Sequence, residues 1–120
     1  VDLETWLVST QEKRDELDAF GKEQLASDAS QRKADIEVTI QAAHDAGKLL
    51  SDAETFLTQA QAIAVMTVRT KYPDLSADER KIMAKDAVRT VQRLVDGIAV
   101  TVKTLNSRIF SQMNANRSRL

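Results

Sequence analysis

From Ser76 onward, apolar side chains recur at Ala84, Val88, Val91, Val95, Ile98, Val102, Leu105 and Ile109. The intervals alternate between four and three, the heptad seam of a helix that buries one stripe. Ala87 and Leu94 widen that stripe on one side and Ala99 on the other. The spacing predicts a helix over about residues 76–113, ending where Asn114, Asn116 and Ser118 weaken it. At 1.5 Å per residue it would be about 57 Å long. Ser76-Ala77-Asp78-Glu79 reads as a capping box at its start: Ser76 accepts from the amide of Glu79, whose side chain reaches back to the Ser76 amide. Just upstream, Tyr72-Pro73-Asp74-Leu75 is the one strong breaker, because proline disfavours helical backbone at Tyr72.

The middle segment, about residues 28–71, repeats the pattern with smaller side chains. Ile36, Ile40, Ala43, Gly47, Leu50, Leu57, Ala64 and Val68 form its main stripe, broadened by Ala46, Ala53, Phe56, Ala60 and Ile63. Asp28, or Ser27 or Ser30 beside it, supplies the N-cap. The short link at 72–75 makes the two long helices antiparallel neighbours, with residue i beside about 147 − i. That register sets Gly47 against Val100 and Gly97 against Leu50. Nearer the N-terminus, Leu3, Trp6, Leu7, Leu17 and Phe20 follow helical spacing, giving a helix from about Asp2 to 21 or 25, with Gly21 as a candidate C′ residue. A polar connection to residue 30 follows, although no proline forces a break there. The fold class is therefore all-α: a long antiparallel, coiled-coil-like helical hairpin with a shorter N-terminal third helix, in a single domain over residues 1–120.

One competing pattern stands beside this. Ile36–Ile40, Ile98–Val102 and Ile63–Val68 alternate and are rich in β-branched residues, which also suits strands. The unbroken helical phase through residues 97–105 favours the helix.

Composition sharpens the picture. Three glycines and one proline in 120 residues leave few turns, and 42% hydrophobic with 29% charged residues is not a disordered composition. There is no cysteine, so neither a disulfide framework nor a thiolate site is available, and no compartment follows. The longest apolar run, Ala62 to Met66, is far too short to span a membrane, and no signal-peptide pattern is visible. The chain starts at Val1, which fits a processed or excised piece of a longer one. Net charge is −1 but unevenly placed: residues 1–30 carry eight acids and three bases, residues 74–120 five acids and nine bases. Attraction between those two thirds within one bundle is the simpler expectation; a basic face for an external anion is the other.

Candidate chemistry is sparse. His44 is the only imidazole, and Asp45, its neighbour, points about 100° away around a helix and so orients it poorly. Asp15, Glu16 and Asp18 cluster on the first helix, but no Glu-x-x-His pair exists to build a di-metal bundle site. No phosphate loop, dinucleotide fingerprint or calcium loop appears. The expectation is a non-enzymatic chain with no cofactor and no metal.

An apolar excess near the hairpin tip suggests the function instead. A first helix of about 20 residues covers only the half of the hairpin far from the turn. Ile63, Val65, Met66, Val68, Ile82 and Met83 are then left as an uncovered face, which invites a second chain. The expected role is a protein–protein interaction or self-assembly module, most simply a homodimer with two-fold symmetry, or a partner of another helical protein. The alternatives are a small nucleic-acid-binding regulator using the basic third helix (Arg80, Lys81, Lys85, Arg89, Arg93, Lys103, Arg108, Arg117, Arg119), and a helical toxin or effector segment. Nucleic acid is the weaker choice, since no aromatic residues interleave with the bases for stacking and Asp86 and Asp96 interrupt the row. A ligand-sensing bundle ranks lower still, because an odd number of helices puts the termini at opposite ends.

Overall fold

The computed structural model describes residues 3–23, 25 and 29–117. Its elements are α1 (Leu3–Gly21), α2 (Ala29–Lys71), α3 (Ala77–Ala87) and α4 (Arg89–Arg117). The architecture is all-α, and the segments that alternate in sequence are all helical. α2 and the α3–α4 arm form the antiparallel hairpin, and α1 lies alongside α4 and α2. The rod measures 68 × 27 × 17 Å, with a radius of gyration of 19.5 Å. A compact chain of this length would have about 14 Å, so the hairpin is extended as its sequence implies.

The turn forms as the breaker predicts. The Tyr72 amide donates to the Val68 carbonyl at 2.8 Å, the last such bond before Pro73. Ser76 takes extended backbone, and both halves of the capping box close: Glu79 N–H to Ser76 Oγ at 3.2 Å and Ser76 N–H to Glu79 Oε1 at 3.3 Å. The proposed N-caps Ser27 and Asp28, and Asp2 at the start of the first helix, lie outside the described residues. Ser30 falls inside α2.

The single helix expected over 76–113 is two. It is interrupted at Val88 (φ −103°, ψ 10°), and α4 then runs on to Arg117. No glycine or proline sits at the break, so local propensity does not cause it. The interruption coincides with a change of neighbours. α3 packs on α2, whereas α4 meets α1 as well, with Leu7 and Val8 beside Thr90 and Leu94. The Asp86–Arg89 ion pair (2.9 Å) straddles the break.

The buried seam holds from Ala84 through Val88, Val91, Val95 and Ile98. Beyond Ile98 it departs from the expected positions. Thr101, Leu105, Arg108 and Gln112 are buried, while Val102 and Ile109 are only half-buried. The stripe on α2 shifts too: Ala42, Ala46 and Ala53 are buried, Ile36, Ala43, Gly47 and Leu50 are half-buried, and Ile40 is 52% exposed. The cause is α1, which packs to one side of the hairpin seam. Its Trp6 stacks on Phe56 (ring centroids 4.0 Å apart), and Leu17 and Phe20 pack on the Ala42–Ala46–Leu105 cluster. Burial therefore follows the groove that α1 fills.

Two polar clusters tie the three layers together. In the first, Arg108 is buried and binds Asp35 through Nη2 at 3.1 and 3.2 Å. Its Nε donates to Thr39 Oγ1 at 3.2 Å, its Nη1 donates to the Glu23 carbonyl, and its guanidinium lies 4.9 Å from the Phe20 ring centroid. Gln112 Nε2 adds bonds to Asp35 at 3.0 Å and Thr39 at 3.1 Å. The Thr39–Arg108 and Asp35–Gln112 pairs match the register of about 147 − i set by the short turn. The expected glycine pairs do not form. No atom of another helix lies within 4 Å of a Cβ built on Gly47, Val100 is 55% exposed, and Gly97 packs against Arg14 of α1. Gly21 is likewise not a left-handed C′ residue but the last residue of α1. A Cβ there would meet Thr104 at 3.0 Å and Leu105 at 3.2 Å, so its value is close approach to α4.

The second cluster docks α1. Thr101 Oγ1 donates to Asp18 Oδ1 at 3.1 Å, Arg14 Nε donates to Thr101 Oγ1 at 3.2 Å, and Lys22 Nζ reaches Asp18 Oδ2 at 2.8 Å. The Lys22 hydrogen bond is the main cause that lowers the Asp18 pKa below its ordinary 3.8; burial opposes it, while Thr101 and the Arg14 charge assist. A depressed carboxylate stabilises the fold fully above its unfolded value, and the contribution fades as pH falls through the folded one. The thermal midpoint should therefore drop as pH is taken below about 4, and Asp18→Asn should flatten that drop. An equally steep acid limb in the variant, followed by circular dichroism, would rule Asp18 out as a contributor.

Candidate interaction surface at the hairpin tip

α1 runs beside α4 from the level of Thr90 to that of Leu105. The Trp6–Phe56 stack lies near the limit of its cover. Past that level the rod is two helices thick, as the length of the first helix implies.

The six residues expected at the tip do not behave alike. Ile63 (65%), Met66 (69%), Ile82 (69%) and Val65 (44%) are exposed. Val68 is buried in the hairpin core, and Met83 is half-buried against it. The exposed four do not make one flat face. Ile63 and Met66 are three apart and share a side of α2, whereas Val65 points about 100° from Met66. Ile82 is two residues from buried Ala84 and so lies nearly opposite the core side of α3. Exposed apolar groups thus surround the tip, with Tyr72 joining them at the turn.

A groove of about 610 Å3 beside the tip follows the α3–α4 break. Ile82, Met83 and Val88 supply its apolar part. Lys85, Arg89 and Arg93 stand on its rim with Asp86 and Asp96, and Gln61 and Gln92 complete it. Arg93 also lines a second, shallower groove with Leu7, Val8, Gln11 and Glu12 of α1. The acidic flank of α1 and the basic rim of the break are therefore neighbours across the ridge of α4.

No family model, no curated protein and no solved structure matches this chain.

The charge distribution adds to the argument. Among the described residues, Arg108–Asp35 is the one ion pair that joins the two arms of the hairpin; Asp86–Arg89 links α3 to α4 across the break, and the others lie within α1 or reach Lys22 just past its end. The expected attraction between the acidic first third and the basic last third does not take the form of ion pairs there. Glu4, Glu12, Asp15 and Glu16 on α1 face solvent, as do Lys81, Lys85, Arg89, Arg93 and Lys103. The basic row is thinner than its sequence suggests. Arg108 is turned into the bundle, Arg80 donates to the Leu75 carbonyl at 3.1 Å, and Arg89 is paired with Asp86. Arg119 lies outside the described residues.

His44 is exposed on α2, where Gln41 rather than His44 is the hydrogen-bond partner of Asp45. No group of three or more His, Asp or Glu among the described residues is arranged to hold a metal ion. No helix is long and apolar enough to cross a membrane among the described residues.

Sequence reasoning missed the polar clusters at Asp18–Thr101 and Asp35–Arg108. The signal was present: Leu94, Ile98, Thr101, Leu105, Arg108 and Gln112 are spaced four, three, four, three and four. Choosing apolar Val102 and Ile109 over polar Thr101 and Arg108 hid it.

Proposed function

We propose that this chain is a non-enzymatic protein-interaction module that associates with a second copy of itself, or with another helical protein, through the region around the hairpin tip. The observation that carries this reading is the exposure of Ile63, Met66 and Ile82, each about two-thirds open, where α1 gives no cover. Scattered exposed apolar residues are ordinary; several large ones gathered at one end of a thin rod are a surface that gains by being covered. Helix-face recognition is the mechanism that such a surface supports, with branched and methionine side chains as anchors.

Met66 is the residue on which to test it, because it lies outside both the hairpin core and the groove at the break. Met66→Asp should leave the far-ultraviolet circular dichroism and thermal midpoint nearly unchanged, since a surface change away from packed groups costs little. The variant should nonetheless lower the mass measured by light scattering at high concentration toward that of one chain. A Met66→Asp variant that assembles as well as wild type would remove Met66 from the interface.

The nucleic-acid reading gains nothing from the inward turn of Arg108. Binding that falls steeply with salt would be its signature.

A further inference from the structure

We propose that the occupant of the groove at the α3–α4 break is the acidic outer face of α1 from a second copy of this chain, and that the exchange is reciprocal. This deepens the self-association reading above and rests on it.

Three observations combine. First, the surfaces match in kind. The groove is lined by Ile82, Met83 and Val88 together with Lys85, Arg89 and Arg93. The exposed side of α1 offers Val8 (54% open) among Glu4, Glu12, Asp15 and Glu16. Ile82 (69% open) and Val8 are the uncovered apolar groups of the two surfaces, and each is flanked by charge of the opposite sign. Asp86 and Asp96 on the rim reduce the positive charge without reversing it. Second, most of these charges have no ion-pair partner within the chain: of the rim bases only Arg89 is paired, with Asp86 across the break, and of these acids on α1 only Asp15 is, with Arg14. No ion pair among the described residues joins α1 to the groove. Third, the two surfaces are adjacent. Arg93 lines both the groove and the depression that holds Val8 and Glu12. A two-fold axis along this ridge of α4 sets each chain's α1 against the other's groove and uses both surfaces at once.

Size favours the reciprocal form. The groove spans residues 82–96, about 21 Å, so a contact about 10 Å wide covers at most about 210 Å2, too little for a specific complex. Two such contacts give about 420 Å2 per chain, in the range of weak, transient association. The dimer is thus expected to be weak, fast to form and sensitive to ionic strength.

A charge exchange tests this with built-in rescue. One variant carries Arg89→Glu and Arg93→Glu; the other carries Glu4→Lys and Glu12→Lys. All four side chains are exposed, so helicity by circular dichroism should be unchanged in both. By sedimentation velocity at low salt, wild type should dimerise, and each variant alone should dimerise at least about tenfold more weakly because like charges then meet. An equimolar mixture should recover the dimer, since one contact is then wild type and the other has both signs reversed. Raising the salt should weaken the wild-type dimer. A wild type that stays monomeric overturns the inference, as do variants that dimerise normally or a mixture that does not recover. The outcomes separate from the tip reading because Met66 does not line the groove. A dimer lost with Met66→Asp but indifferent to the charge variants would keep the tip and discard this pairing. The opposite pattern would keep this pairing and discard Met66.

Discussion

Asp35→Ala is expected to destabilise the fold by about 3–5 kcal/mol, the cost of leaving a buried charge without its partner. The Arg108 side chain is only 4% exposed and Asp35 18%, so solvent cannot replace the lost carboxylate. Gln112 Nε2 would also lose a bond, and its Oε1 is already buried without a partner. A chain of this size should lose on the order of 10–20 °C in midpoint for such a change. The double variant Asp35→Leu with Arg108→Met separates charge from packing. An apolar pair of similar volume removes the uncompensated guanidinium and should recover a large part of the loss. Recovery will be incomplete, because Arg108 also holds the Glu23 carbonyl and lies over Phe20. Chemical denaturation of the two variants measures both steps. A single variant within about 1 kcal/mol of wild type would mean that Arg108 finds water or another acceptor when Asp35 is gone.

Ile98→Ala should cost about 2–5 kcal/mol. Ile98 is fully buried and belongs to the larger core cluster, with Val91, Leu94 and Val95 on its own helix and Ala53 and Leu57 on α2. Where in that range the cost falls depends on how far the leucines of the cluster relax into the space left behind. Thermal or urea unfolding gives the value directly. The same truncation at half-buried Ile109 should cost far less, although the heptad pattern of the sequence treats the two positions as equivalent. Similar losses at both sites would contradict the burial seen here.

That contrast shows where sequence periodicity works and where it stops. The 4–3 spacing identified the α3–α4 arm as helical and placed its core correctly from Ala84 to Ile98. It then favoured Val102 and Ile109, since an apolar residue is the better candidate for burial when nothing is known of the neighbours. Thr101 and Arg108 are buried because Asp18, Arg14, Asp35 and Thr39 reach them from other helices. Polar burial is stable only when each group is satisfied, and the partners lie 69 to 87 residues away in sequence. The tip divides in the same way. Four of its six candidate residues are exposed, but Val68 faces α3 and Met83 leans on the core. Helical phase could have separated Val68 from Met66, since two residues apart on a helix is nearly opposite in direction. The groove at the α3–α4 break had no sequence signal at all, because neither glycine nor proline marks residue 88.

The sequence by itself determined the helices, the hairpin turn and its register. These follow from local rules: spacing of apolar residues, proline at 73, the capping box at 76–79, and a link too short to allow any but antiparallel neighbours. The tertiary structure alone decided which flank of the hairpin α1 would fill, and with it the shifted core, the buried arginine, the break at Val88 and the outward display of both charged faces. A helix with a weak apolar stripe can lie on either side of a hairpin; specific polar bonds and close approach at Gly21 select one side, and those depend on residues that meet only after the chain has folded.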